Sequence, residues 1–434
     1  MKTLLSLTLL VSLGILCSCS TPPPITQAND YKSYLTKQTK VHATSPVETW
    51  DFWQRKHKEQ PQNLIYQGKL ASLLRQDFRL TGNIASLHQA DSIYHHILKS
   101  TYVPKAGTYL ALAQNSITQH KFQQALKYAQ KAQKIGGQAF ETQLLLIDIY
   151  LELGYDLNVV SMLQSIENKN TFDYLIRASK LKDHQGNLAE AILLMEKAFE
   201  RIKNNGKELY CWSLANLGDM YMHANRPQDA YQAYLKVLKA NPSYAHALKG
   251  IAWLAYVYDK NIAEAKKIIH FLQQQKTAPD LYLLLAELAD FEGNLAAKQK
   301  NLQKFMAITS QDDYGAMYDT YRIALEAEEF KNYPKAIQLA NKEIKNRPIP
   351  GSYDLLAWTL LQKGNPQEAY KIIQQQVTPK AEGLEPHILY HLGEIYWANN
   401  RPKYARKYLK MAEEGAQELG LVTAQRIKAL LQKI

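Results

Sequence analysis

His387, His391 and Glu394 stand at positions i, i+4 and i+7, a spacing that on one helix brings three potential metal donors to neighbouring turns. Ordinary surface polarity accounts for the same residues, so neither a metal nor another cofactor is expected. His95-His96 is a weaker pair, because adjacent helical positions point apart. The chain contains no Gly-rich phosphate loop of the Walker or dinucleotide type, no Gly-x-Ser-x-Gly turn and no His-Glu-x-x-His pair. With no catalytic residue to single out, the expectation is a protein that binds rather than an enzyme.

The elements that would position any such side chains form a repeat. From about Leu64 onward the sequence is helical in pattern, with Gly, Pro and Asn mostly confined to regular breaks. Ala90, Ala125, Val159, Ala191, Ala230, Ala265, Ala297, Ala336, Ala369 and Ala405 recur at a mean step of about 35 residues. A small residue there lets the second helix of a hairpin approach the first. Five residues earlier, at the turn, stand Gly154, Gly186, Asn225, Gly364 and Asn400, which tolerate a left-handed backbone. The fold class that follows is all-α, a solenoid of about ten helical hairpins, because no single hairpin can bury its own apolar stripe.

Two units carry a closer likeness. Leu217-Gly218, Tyr221, Ala230, Tyr234 and Pro242, and again Leu392-Gly393, Tyr396, Ala405, Leu409 and Ala412, fall at spacings that resemble the tetratricopeptide repeat. Leu356-Ala357, Gly364 and Ala369 repeat the pattern, as do Leu112-Ala113, Ala125, Ala129 and Ala132. The units around Val159 and Ala297 have largely lost it. The resemblance implies a right-handed superhelix over residues 61–415 whose concave groove is lined by the first helix of each hairpin. Carried onto this chain, the groove positions hold Trp212, Met222 and His223, then Tyr318 and Tyr321, then Trp358, and finally Tyr390, Glu394 and Trp397. Aromatic residues there would grip a protein or peptide partner by apolar burial with polar tips free to hydrogen-bond; the competing reading is that they pack between adjacent repeats.

Lys2 followed by the apolar run from Leu4 to Leu13 reads as a signal segment over 1–18, too short to span a membrane. Leu16-Cys17-Ser18-Cys19 resembles a lipobox, with Cys19 the acylated residue because Leu16 is too bulky to precede the cut at Cys17. Ser20, rather than Asp, resembles the sorting signal of lipoproteins sent to the outer membrane, so a lipid-anchored, periplasm-facing position is expected. Residues 19–60, opening with Thr21-Pro22-Pro23-Pro24, read as a flexible tether. Cys211 is then expected to be a small, semi-buried helix residue. Leu421, Ile427, Leu430, Leu431 and Ile434 fall toward one helical face, making 416–434 a C-terminal cap.

The composition, 46% hydrophobic and 21% charged, is globular, and 28 Tyr against 10 Phe favours wet, contact-making surfaces. A net charge of +12 comes without a sustained basic block, a mild bias that does not call for nucleic acid. A step of about 35 residues is also that of RNA-binding pentatricopeptide repeats, but the export signal and the Leu-Gly and Tyr positions oppose it. The functional expectation is a membrane-anchored scaffold for protein partners in a bacterial envelope assembly, with a glycan- or peptidoglycan-binding protein as the alternative. The longer steps from Ala191 to Ala230 and from Ala297 to Ala336 predict joints near Lys203–Glu208 and Thr309–Tyr314.

Overall fold

A computed structural model describes residues 23–36, 46–275, 278–310, 312–380 and 383–434, which form helices joined by short turns with no strand among them. A short helix, α1 (Ala28–Tyr31), and α2 (Pro46–Glu59) lead into ten antiparallel hairpins. The first five are α3 (Leu64–Thr81) with α4 (Ile84–Ser100), α5 (Ala106–Thr118) with α6 (Phe122–Ile135), α7 (Ala139–Glu152) with α8 (Asp156–Gln164), α9 (Phe172–His184) with α10 (Leu188–Ile202), and α11 (Lys207–His223) with α12 (Pro227–Ala240). The second five are α13 (Ala245–Val257) with α14 (Ile262–Gln275), α15 (Asp280–Phe291) with α16 (Leu295–Thr309), α17 (Asp319–Glu328) with α18 (Tyr333–Asn346), α19 (Pro350–Gln362) with α20 (Pro366–Ile372), and α21 (Pro386–Ala398) with α22 (Pro402–Glu414). The last helix is α23 (Ala416–Lys433).

Local chemistry sets the ends of these helices. Asn63, Asn83, Thr171, Asn187 and Asn294 cap N-termini with side-chain oxygens, and Pro227, Pro350, Pro366, Pro386 and Pro402 occupy first turns where no amide partner is lost. Each of the five expected turn residues is left-handed, from Asn225 at φ 53° to Gly364 at φ 92°. The amide after it bonds the carbonyl five residues back, as in Arg226 to Tyr221 and Arg401 to Tyr396. His120, Lys260 and Lys331 take the same conformation at φ 53–54°, although a side chain there costs roughly 1–2 kcal/mol. Turn geometry therefore overrides residue preference in those three units.

The small residues that set the register are fully buried, Val159 included, except for Ala297, which is half-buried. Tyr234 shows why glycine is needed nearby: a Cβ on Gly218 or on Gly250 would lie 2.5 Å from its ring. The ring is clamped between two first helices. Cys211, expected half-buried, is completely enclosed in the same core.

The largest core runs without a break from α9 to α15, so the segment Lys203–Glu208 is an ordinary turn inside it and no joint lies there. Near Thr309–Tyr314 the pattern does lapse. Phe305 meets Tyr318 and Tyr321 edge-on, but the core of α17–α19 is separate from the large one. The chain there leans on an earlier hairpin instead: the Ala316 N–H donates to the Gln119 carbonyl at 2.9 Å. Asn346 bridges the His120 carbonyl (2.7 Å) and the Phe122 amide (3.0 Å), and Arg347 pairs with Glu152 at 3.2 Å. A Cβ on Gly383 would strike the His184 carbonyl. The array thus coils until the turns of its N-terminal half rest on its C-terminal half.

The segment expected to be a tether contains docked structure. The Asp259 carboxylate accepts from the Ile25 amide (2.6 Å), the Thr26 amide (2.9 Å) and the Thr26 hydroxyl (2.6 Å), while the Tyr231 hydroxyl accepts from the Gln27 amide at 3.0 Å. Tyr31 is wholly buried in the large core. Residues 25–31 are a strap across α12 and the α13–α14 turn, because three charge-assisted bonds and a buried tyrosine outweigh the entropy of a short polar segment. Cys19 and the signal segment lie outside the described residues.

Candidate partner-binding groove

The first helices α11, α13 and α15 line the inner side of the coil, and α23 lies across all three. Gly420 makes this crossing possible. Its φ of 81° and ψ of 167° break α23 into two helical pieces and occupy a region essentially restricted to glycine. The break leaves a carbonyl and amides without intrahelical partners. The Trp253 indole N–H donates to the Gln417 carbonyl at 3.1 Å, and the Leu421 amide donates to the Tyr256 hydroxyl at 3.2 Å. Tyr256 in turn donates to Glu287 at 2.7 Å, and the Glu287 carboxylate also accepts from the Val422 amide. A carboxylate facing the start of a helix gains from the helix dipole as well as from the hydrogen bond. Burial nevertheless raises the Glu287 pKa, with the Tyr256 and Val422 bonds opposing it.

This inner face reads a helix break through its backbone. Sequence reasoning named none of Trp253, Tyr256 and Glu287; Gly420 within an otherwise helical run was the one signal pointing there. The cap expectation for 416–434 describes the other half of the helix, where Ile427 and Leu430 are buried with the last hairpins.

The expected groove residues divide between packing and exposure. Trp358 is 4% exposed and Tyr390 8%. Trp358 stacks on His391 with centroids 4.0 Å apart and donates to Glu328 at 2.6 Å, tying α17, α19 and α21 together. The Tyr390 hydroxyl donates to Glu394 at 2.9 Å, and its pKa is driven upward by burial and by that carboxylate. Trp358 and Tyr390, whose rings meet at 5.8 Å, hold neighbouring repeats in register, and Glu394 holds Tyr390. Trp212 is partly buried against Phe172, and Met222 is buried in the large core. His223 approaches Glu418 of α23 at 3.8 Å. Tyr318 packs edge-on to Phe305 and Tyr314. Tyr321 at 53% and Trp397 at 37% remain open to solvent.

His391 does not combine with His387 and Glu394. Its Nδ1 lies 2.7 Å from Oδ2 of fully buried Asp354, one repeat earlier, while His387 pairs with Glu385 at 3.2 Å. Burial pulls the His387 pKa down, but Glu385 more than reverses this, so the net direction is up. Asp354 and His391 are 37 residues apart, close to one repeat step, a spacing that brings them together from neighbouring first helices.

Residues 213–247 match the family model of the tetratricopeptide repeat, covering the rest of α11 from Ser213, all of α12 and the first turn of α13. No curated protein matches the chain. Among solved structures the chain is similar to PilF of Pseudomonas aeruginosa, at 14% identity and a TM-score of 0.36 over 48% of this chain and 94% of that one. It is similar also to a tetratricopeptide repeat protein of Parabacteroides merdae, at 19% identity and 0.35 over 60% and 97%. Yeast Tom70 matches at 12% identity and 0.35 over 85% and 96%.

Proposed function

We propose, on the premise that the chain is a tetratricopeptide-repeat protein, that it is a scaffold holding a protein or peptide partner on the inner face of its coil. It carries out no reaction of its own. The supporting observation is that this face already holds a polypeptide, α23, through Trp253, Tyr256 and Glu287. On two further first helices, Tyr321 and Trp397 offer aromatic rings that remain partly open to solvent. Aromatic side chains of this kind supply anchoring area at low entropic cost.

The scaffold is held at the bacterial outer membrane, facing the periplasm, by an acyl group on Cys19, and serves an envelope assembly. The lipobox-like Leu16-Cys17-Ser18-Cys19 supports that anchor. With Ile25 pinned at Asp259, only residues 20–24 separate Cys19 from the array, a reach of about 17 Å when extended. An anchor there would hold the array close to the bilayer.

The test is a pull-down from crosslinked envelopes with wild-type protein and a Tyr321→Ser/Trp397→Ser variant shown to have the same melting temperature. A protein captured by the wild type and lost from the variant is expected. Capture of glycan strands alone would favour the alternative reading, and identical protein partners would move the binding surface elsewhere.

A further inference from the structure

Between Asp91 and Glu141 the sequence contains no acidic residue and no arginine, yet it carries Lys99, Lys105, Lys121, Lys127, Lys131 and Lys134. Half of the chain's net charge of +12 therefore falls in one hairpin and its flanks, a bias that a search for basic blocks misses because the lysines are spaced out. Folding sorts these lysines. Lys99 and Lys105 flank the connection from α4 to α5, while Lys134 lies in the last turn of α6, before the connection to α7, and Lys131 about one turn earlier. All four are exposed, and none has an ion-pair partner among the described residues.

The same connections present apolar side chains to solvent. Tyr102 is 101% exposed, with Val103 beside it, and Ile135 and Phe140 flank the α6–α7 connection. Ile65, at the start of α3 after the α2–α3 connection, is exposed in the same way. In an array of antiparallel hairpins, every connection between successive units falls on one edge. The edge of the first three hairpins thus carries protruding aromatic and aliphatic tips among lysines without a carboxylate partner, Lys131 lying over the Tyr109 ring at 5.6 Å.

We infer that this edge docks on an anionic lipid surface. Three properties favour a bilayer over a macromolecular partner. Protein interfaces are depleted in lysine, whereas lysine near an anionic leaflet is attracted to it. A tyrosine tip with aliphatic neighbours suits the boundary between headgroups and acyl chains, where amphipathic rings settle. Nucleic acid would be expected to engage arginine, of which this region has none. The contact is separate from any acyl group on Cys19, so its failure and the failure of the anchor can be told apart.

The test uses the chain from Ser20 onward, which lacks the signal segment and the acyl site but contains every described element. Co-sedimentation is measured with vesicles of phosphatidylcholine, with and without phosphatidylglycerol, at one ionic strength. Binding is expected only when phosphatidylglycerol is present. Lysine contributes about fivefold each near such a surface, so Lys99→Gln/Lys105→Gln/Lys131→Gln/Lys134→Gln should lower partitioning roughly six-hundredfold. Tyr102→Ser/Val103→Ser/Phe140→Ser should lower it on the order of tenfold with every lysine retained. A Tyr102→Trp variant, compared with the wild-type tryptophan signal, should gain a component quenched by brominated lipid. Binding that is equal on both vesicle types, or unchanged in both multiple variants, would overturn the proposal. So would retention by a soluble polyanion with no binding to vesicles, which would make the edge a general anion surface.

Discussion

Gly420→Ala probes the seat of α23 more sharply than any other single change. An alanine must adopt φ 81° and ψ 167°, a conformation costing about 1–3 kcal/mol outside glycine. Its Cβ would also collide with the Glu287 carboxylate. Moving that carboxylate breaks its bonds to Tyr256 and to the Val422 amide, worth about 1.5–3 kcal/mol for a charged acceptor. The two effects together reach about 2.5–6 kcal/mol, enough for the first part of α23 to leave the groove while the half holding Ile427 and Leu430 stays packed. Amide hydrogen exchange resolved by peptide reads this directly. Residues 416–422 should lose protection in the variant, and peptides from α3 to α10 should keep theirs. Adding Glu287→Ala should relieve the collision but not the backbone strain, so only part of the protection returns. Unchanged protection at 416–422 in Gly420→Ala would refute the claim that the groove grips this break.

Three further outcomes follow from the packing. Ala230→Leu places a larger side chain where two helices of one hairpin meet with no free space and should cost about 1–3 kcal/mol in a denaturant titration; no change would mean that the repeat register is misplaced. Asp259→Ala removes the acceptor of three bonds to Ile25 and Thr26, so limited proteolysis should cut within 25–36 far faster than in the wild type, and equal cutting rates would show that the strap is not held there. His387 has its folded pKa raised by Glu385, so its contribution to stability is fully present below its ordinary value near 6.5 and is lost as pH rises through the raised one. The melting temperature of the wild type, measured relative to His387→Gln, should therefore decline from pH 6 toward pH 8; a constant difference across that range would remove the pair from the account.

Much of the fold is legible in the residues because a solenoid repeats local rules. Ala125, Val159, Ala230 and Ala405 mark helix contacts by size alone, and Gly154, Asn225 and Asn400 mark turns by backbone tolerance. The rest depends on contacts distant in sequence. Nothing local in Thr26 announces Asp259, and nothing in Leu421 announces Tyr256, since both partnerships arise only once the array has coiled. The candidate groove was half legible for the same reason. Periodicity identifies which helix faces inward, but whether an inward ring such as Trp358 meets solvent or a neighbour depends on His391 and Glu328, one repeat away on either side. The joint expected near Lys203 is absent for a simpler reason: the extra residues of that step lengthen α10 and α11 instead of forming a loop.

The most direct test of the scaffold reading is site-specific photocrosslinking in intact envelopes, with p-benzoylphenylalanine replacing Tyr321 on a first helix or exposed Leu295 on α16, a second helix. A discrete protein adduct is expected from position 321 and none from position 295. Adducts of equal yield and identity from both positions, or none from position 321 while 295 captures a protein, would contradict a partner held on the inner face.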